Sequence, residues 1–309
     1  MARAKRSDRS LETSMSPHSG GVLYVVATPI GNLGDLTPRA RLALHSVSLI
    51  AAEDTRRLRS LGGTGGFRAR LLSMPAPREA ERIATVVDHL AAGRDAAVVT
   101  DAGTPVVSDP GSRIVRAARD AGFRVVPIPG ASAVATALAG AGLGGAGFLF
   151  LGFLPPHGAQ RRNALTEVAR SPRTVVLFEA PHRLGRTLAD LQSACGGGRH
   201  AVIARELTKI HEEIQAGPLQ HLIDHLPERI RGEITLLLEG AEPGARAPTQ
   251  DTALVVDSLA GIIEELLSRG MSPSQAAKEA ARRLGCDRRD AYRAAVAAQS
   301  RHAPDESDR

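Results

Sequence analysis

At 309 residues, with 43% hydrophobic and 23% charged side chains, the chain is long enough for two or three domains with proper cores, and this composition argues against wholesale disorder and fibrous repeats. The formal charge is +6 and only Lys5, Lys209 and Lys278 are lysines, so arginine carries the positive charge and polyanions are the favoured partners; with no Trp, two Tyr and six Phe, a broad base-stacking surface is not expected. No apolar run approaches the roughly 20 residues of a membrane span, residues 1–20 lack a signal-peptide core, and Cys195 and Cys286 stand apart from any ligand cluster, so a cytosolic protein without membrane, disulfide or metal is expected.

Residues 1–20, with four basic and two acidic side chains, read as a disordered basic tail, and 242–309 carry ten basic against eleven acidic, which leaves the positive surplus mainly in 21–241. From residue 22, short β-rich apolar runs alternate with amphipathic stretches, the pattern of an α/β fold with largely parallel strands. Strands are predicted at 23–27, 48–52, 96–100, 124–128, 148–152, 174–178, 201–205, 213–215 and 233–239, and helices at 38–47, 78–92, 111–121, 131–142, 158–170 and 181–194. The glycine-rich stretch 139–147 separates two such blocks, giving an N-terminal lobe over 21–143 and a C-terminal lobe over 144–240. Pro and Gly punctuation makes 241–252 a linker. In 253–309, Leu254, Val255, Leu259, Ile262, Ile263, Leu266 and Leu267 recur at helical spacing. Ser272-Pro273 then starts a second helix, and a Gly-containing turn at 284–287 leads to a basic third one, the outline of a helix-turn-helix. Ala-rich helical hairpins also serve as plain packing units.

Three loops at strand ends gather small residues. After the first strand comes TPIGNLG (28–34); after 96–100 comes DAGTP (101–105); after 124–128 come Pro129, Gly130 and Ser132. The carboxyl edge of such strands is where an open α/β sheet binds ligands. Neither G-x-G-x-x-G nor a P-loop occurs, which removes the main support for hydride or NTP chemistry. Asp109, ahead of Pro110, reads as a helix N-cap. In the second half, FEAPHR (178–183) and ARELTKIHEEI (204–214) concentrate charge just past apolar strands; His182 is either a general base or an ordinary early-helix residue.

The stretches LYVVATPIGNLGDLTPRA, IAAEDTRR, VVTDAGTPVVSDPG, VVPIPGASA, FLFLGFLP, TVVLFEAPHR, VIARELTKIHEE and GEITLLLEG resemble, in this order, the tetrapyrrole-methylase superfamily of S-adenosylmethionine enzymes, most closely its ribosomal RNA branch. The resemblance implies a two-lobed α/β fold with the cofactor in a cleft between the lobes, usually in a homodimer. The implied activity is 2'-O-methylation of a cytidine ribose in the decoding region of small-subunit (16S) ribosomal RNA, with S-adenosyl-L-methionine as methyl donor and the small ribosomal subunit as partner. Motif by motif it places donor contacts at Ile30, Asp101, Gly103, Thr104, Ser132, Ala133, Phe178, Ala204, Ile234 and Thr235. Glu53, Asp54, Glu79, His182 and Lys209 are candidates for the base that takes the hydroxyl proton, and Arg56, Arg57, Arg183 and Arg205 for phosphate contacts. Two departures stand out: SMPAPRE at 73–79 replaces an H-x-H-N-E stretch of the family, and Pro156-His157 replaces a Lys after GFLP. The rival readings are a methylase acting on a corrinoid or porphyrinoid ring and a non-enzymatic nucleic-acid-binding protein that works through its helical tail.

Overall fold

The structure, a computed structural model, describes residues 20–76, 79–143, 147–241, 259–284 and 288–302. The expected N-terminal tail (apart from Gly20), the linker after Ala241, Leu254, Val255 and the turn residues 285–287 lie outside these. Contacts divide the chain into two units: one runs to Thr136 and takes back Leu207–Ile210; the other holds Ala137–Glu206 and everything from His211 onward.

The first unit is built on a five-stranded sheet in the order β3-β2-β4-β1-β5. Its strands are β1 (Val22–Val26), β2 (Leu49–Ala52), β3 (Arg70–Ser73), β4 (Ala96–Val99) and β5 (Arg124–Ile128), all parallel. The central strands β2 and β4 are buried throughout, as expected where helices cover both faces. Helices α1 (Pro38–Ser46) and α2 (Thr55–Leu61) pack on one face through Ala40, Ala43, Leu44 and Leu58 against Val26, Ile50, Ala52, Ala97 and Val99. On the other face, α3 (Glu79–Ala91) and α4 (Ser112–Asp120) supply Val86, Leu90, Ile114 and Ala118 against Leu23, Leu49, Ala51, Ala96 and Val98. Thr37 caps α1, its hydroxyl accepting from the Ala40 amide at 3.1 Å, and Pro38 occupies the first turn.

The second unit departs from the expected parallel arrangement. Its sheet, in the order β6-β7-β10-β8-β9, is mixed. Only β6 (Phe148–Phe153) and β7 (Thr174–Glu179) pair in parallel; β10 (Ile234–Leu238) runs antiparallel to β7 and to β8 (His200–Arg205), and β9 (Glu213–Pro218) antiparallel to β8. The reason is the connection: β8 returns as β9 through the short segment 206–212, which has no room for the crossover helix a parallel pair needs. One face is covered by α6 (Gly158–Arg170), α7 (Pro181–Cys195) and α8 (Leu219–Asp224), whose Val168, Leu184, Leu188, Leu191, Leu219 and Leu222 meet Val175, Leu177, Ile203, Leu236 and Leu238. A helix α5 (Ala133–Ala141) contains the division between the units.

Beneath this packing runs a buried polar chain. The Arg161 guanidinium donates to Asp190 Oδ2, to the Pro155 carbonyl and to Thr187 Oγ1; Thr187 donates to Glu179 Oε2, and Glu179 Oε1 accepts from the Ala180 amide. Arg161 and Glu179 are 4% and 3% exposed, so each needs the others to offset desolvation.

The C-terminal helices α9 (Leu259–Ser268), α10 (Pro273–Leu284) and α11 (Arg288–His302) enclose a small core of Ile262, Ile263, Leu266, Ala276, Ala277, Ala280, Ala291, Ala295 and Ala298. Ser272 opens α10 with a reciprocal cap: its hydroxyl accepts from the Gln275 amide, and Gln275 Oε1 accepts from the Ser272 amide.

Candidate functional site

In the first sheet, the chain leaves β1 towards β2 over the face of α1, and leaves β4 towards β5 over the face of α4. β1 and β4 are neighbours, so their carboxyl ends flank a topological switch point, the place where an open α/β sheet leaves a crevice for a ligand. The TPIGN loop and the DAGTP loop start there. They are tied by an isolated bridge: the Thr28 amide donates to Gly103 O at 2.8 Å and the Gly103 amide to Thr28 O at 3.1 Å, while Thr28 Oγ1 donates to Thr100 O at 3.2 Å. Gly103 takes φ +80°, and a Cβ there would point to Ile30 Cγ2 at 3.5 Å. Thr104 Oγ1 donates to Ala131 O at 3.2 Å, drawing the third loop in. That loop is also held close: a Cβ on Gly130 would lie 2.9 Å from Ala27 Cβ. Ile30, Asp101, Gly103, Thr104, Ser132 and Ala133 are thus gathered at one sheet edge, with Ser132 directly ahead of α5 and its hydroxyl 3.5 Å from the Ala135 amide. Leu207–Ile210 join the same unit, where Lys209 packs so closely on Gly31 that a Cβ there would come within 2.4 Å of Lys209 Cγ, overlapping it.

Carboxylates crowd this edge. Asp101 Oδ1 accepts from the Asp54 amide at 2.9 Å, Asp101 Oδ2 faces Arg57 at 3.4 Å, and Glu53 Oε2 accepts from the Asp101 amide at 3.4 Å. Burial raises the Glu53 carboxyl above its usual range. Asp109 is pushed up to about 7, by burial first and then by the charges of Glu53 and Asp101. The loop that carries it is strained, with Val106 at φ 78° and Ser108 at φ 63°.

The folded state holds the Asp109 proton more tightly than the unfolded chain does. This group's contribution to stability therefore falls as pH rises from about 4, where the unfolded carboxyl releases its proton, to about 7. Asp109→Asn removes that dependence. The melting temperature of the variant relative to wild type should climb across pH 4–7 and then level off; a constant gap across the range would refute the raised value.

Several expected roles change here. Asp109 does not cap α4: the N-cap is Gly111 at φ 119°, which has no side chain to offer. The cap is supplied by Glu79, whose Oε1 accepts from the amides of Gly111, Arg113 and Ile114 at 3.2, 2.7 and 3.3 Å. Glu79, 6% exposed and fully engaged, is a structural carboxylate rather than a base. Asp54 caps α2 through the Arg56 amide and grips the Arg56 side chain at 2.7 Å; these bonds hold its carboxyl down to about 2, far too acidic to take a proton at neutral pH. Arg56 is thereby occupied in a local pair. Among the base candidates of this unit, Glu53 and Lys209 keep their standing, and Asp109 joins them.

In the second unit the register brings three of the expected residues into one row: Thr235 on β10 pairs with Phe178 on β7 and with Ala204 on β8. Paired residues share a face, and this face lies opposite the helix-covered core. The phenyl ring of Phe178 is set by edge contacts with Phe150 and Phe153 at 5.0 and 5.7 Å. Ile234, one residue along, turns its side chain into the helix-facing core, so only its main chain is open to a ligand on the other side. Two of the expected phosphate contacts are structural: Arg183 donates to Leu154 O and faces Glu179 at 3.3 Å, and Arg205 is paired with Glu213 at 2.7 Å. His182 is exposed in the first turn of α7, beside a groove of about 490 Å³ lined also by Leu226, Arg229 and Arg231.

Comparison with known proteins places this geometry. Residues 22–223 match the model of the Tetrapyrrole (Corrin/Porphyrin) Methylases, and residues 261–299 that of the RsmI C-terminal HTH domain. Over 275 residues the chain is 43% identical to ribosomal RNA small subunit methyltransferase I of Xylella fastidiosa, covering 88% of this chain and 98% of that one. Among solved structures, the methyltransferase CobJ superposes with a TM-score of 0.57 at 24% identity, covering 72% of this chain and 95% of CobJ. Uroporphyrin-III C-methyl transferase from Thermus thermophilus, complexed with S-adenosyl homocysteine, gives 0.50 at 19% identity, covering 71% and 97%. These two likenesses speak for the fold. The chain belongs to the tetrapyrrole methylase family and, at this identity and coverage, to its ribosomal RNA small subunit methyltransferase I members.

Proposed function

We propose that the chain transfers a methyl group from S-adenosyl-L-methionine to a cytidine ribose 2'-oxygen in the decoding region of small-subunit ribosomal RNA. The chain is a ribosomal RNA methyltransferase by family. The observation that carries the reading to a site is the crevice at the β1/β4 switch point. A glycine at φ +80° leaves it open to a ligand, and Glu53, Asp101 and Asp109 line its edge with carboxylates. A cationic methyl donor fits this chemistry: the carboxylates outnumber the nearby Arg57 and favour positive charge. When bound, the donor supplies an electrophilic methyl on a sulfonium.

The residues of the chain then have two tasks. The first is to hold the donor in line with the ribose oxygen, a positioning effect that supplies ~7 to 11 kcal/mol in favourable reactions. We assign it to Ile30, Asp101, Gly103, Thr104, Ser132 and Ala133, and in the second unit to Phe178, Ala204, Thr235 and the main chain of Ile234. The second is to accept the hydroxyl proton, typically worth ~100- to 10,000-fold. We assign it to one of Glu53, Asp109 and Lys209. The proposal divides the chain into lobes over 21–143 and 144–240, a linker and a helical extension over 253–309. It takes the active form as a homodimer, readable by light scattering, working in the cytosol beside its ribosomal substrate.

The test is transfer of a labelled methyl group from the donor to isolated small ribosomal subunits. Labelling of a corrinoid or porphyrinoid ring in preference to the subunit would instead favour the small-molecule methylases of the same family. Positive charge and the helical extension favour RNA over an acidic macrocycle.

A further inference from the structure

The second unit holds a groove that the donor contacts leave unused. With a volume of about 490 Å³, it lies between the first turns of α7, which supply His182 and Gly185, and the segment 226–231 that leads towards β10. Its floor is the half-buried pair Leu226 and Ile230, packed on the helix-covered core, and its rim is the exposed His182, Glu228, Arg229 and Arg231. Other arginines of this unit are committed within the fold: Arg161 and Arg186 face Asp190, Arg183 faces Glu179, and Arg205 is paired with Glu213. The guanidiniums of Arg229 and Arg231 enter no ion pair or side-chain hydrogen bond with another described residue. The wall that carries them is fixed through its main chain: Arg205 Nη1 donates to Arg231 O at 3.5 Å, and the Glu233 amide donates to Glu206 Oε1 at 2.9 Å.

Gly185 is an independent sign that this space is kept open. It stands inside α7 without a positive φ, so the backbone does not require glycine, and glycine weakens a helix interior relative to alanine. A Cβ there would meet only Leu226 Cδ2, at 3.5 Å, an ordinary contact, so packing does not require glycine either. What the missing side chain does is leave the groove clear. The rim suits a strand of RNA: guanidiniums match phosphates, and a carboxylate and an imidazole beside them match a ribose 2'-hydroxyl, which both donates and accepts. A concave groove takes an unpaired strand, whose backbone bends into it, in preference to a duplex, which presents its phosphates on a convex surface. His182 follows Phe178 by four residues and Arg231 precedes Thr235 by four, so even at full extension both rims lie within about 14 Å of the row assigned to the donor. An acidic protein surface would meet the same guanidiniums, but Glu228 opposes a carboxylate-rich partner and suits a ribose.

We propose that this groove holds the ribose-phosphate backbone of the substrate RNA in an unpaired stretch beside the target nucleotide. Arg229 and Arg231 contact adjacent phosphates, and His182 and Glu228 a ribose 2'-hydroxyl. The identity of the RNA rests on the function proposed above. The experiment uses full-length protein in two forms, an Arg229→Gln, Arg231→Gln double variant and Gly185→Gln. Binding to small ribosomal subunits is measured over a range of salt concentrations, together with KM, kcat, donor affinity and thermal melts. The double variant should bind subunits about tenfold or more weakly, with a raised KM and unchanged donor affinity. Its slope of log affinity against log salt should flatten by about 1.4, the value for two phosphates of a single strand. Gly185→Gln fills the groove and should also weaken subunit binding, while its melting temperature stays at or above wild type because glutamine is the better helix former. A structural role alone predicts no such separation. Unchanged binding and slope in the double variant would overturn the proposal, as would losses that follow a lowered melting temperature in both proteins. A photoreactive amino acid in place of Gly185 should crosslink to ribosomal RNA; crosslinks to ribosomal protein alone would overturn the proposal in favour of a protein partner. If the wild type binds subunits through these residues but transfers no methyl group, the docking groove stands and the enzymatic reading fails. If both variants methylate with the wild-type KM, the enzyme stands and the docking groove fails.

Discussion

Replacing Gly103 by valine is expected to weaken binding of the methyl donor by more than about tenfold and to destabilise the fold by about 1–3 kcal/mol. The residue sits at φ +80°, where a β-branched side chain is a steric outlier. The backbone cannot rotate away, because the Gly103 amide and carbonyl are both held by Thr28, whose own hydroxyl is anchored on Thr100. The strain is therefore forced onto the bridge that joins the two loops at the switch point, and a side chain that stays in place packs against Ile30, whose Cγ2 its Cβ meets at 3.5 Å, a residue assigned to the donor site. Gly103→Ala carries less of both penalties and should fall between wild type and valine. Calorimetric titration of the donor, with a melt to show that the variant is folded, checks this. Wild-type affinity in a folded Gly103→Val protein would remove the crevice from consideration as the donor site.

Glu79 separates a structural from a chemical role by the same kind of pair. Glu79→Ala leaves three amides at the start of α4 without an acceptor, two of them on the buried Gly111 and Ile114, and should cost about 3 kcal/mol. Glu79→Gln keeps an amide oxygen in the place of Oε1. It gives up the charge that favours a helix N-terminus, worth up to about 1 kcal/mol, and retains most of the stability. Its turnover should be close to wild type. A general base would behave differently: the glutamine, unable to accept the proton, would lose ~100- to 10,000-fold in rate while remaining folded.

The same residue shows where sequence reading stops. The loops TPIGN, DAGTP and PGASA are legible because glycine, proline and small polar residues mark the ends of apolar strands, and that punctuation is local. The partnership of Glu79 with Gly111 spans 32 positions and depends on α3 and α4 lying together on one face, which no local pattern encodes. Asp109-Pro110 carries an N-cap signature, yet Gly111 adopts the capping position and leaves Asp109 among other carboxylates instead. α2 and β3 escape for a different reason: TRRLRSL buries only Leu58 and RLLS only Leu72, so neither shows a clear period. The last residues of β9, Gly217 and Pro218, read as a breaker and are tolerated because β9 is an edge strand. In the second sheet, the row Phe178–Thr235–Ala204 exists only because β10 enters between β7 and β8, a pairing of segments far apart in the chain.

The reading of the whole molecule depends on where the methyl group lands. Purified protein, a labelled methyl donor and small ribosomal subunits, followed by nuclease digestion and mapping of the label, give the most direct answer. The expected result is label on the 2'-oxygen of a single cytidine ribose in the decoding region. Label on a base, or none on any ribosomal substrate, would contradict it.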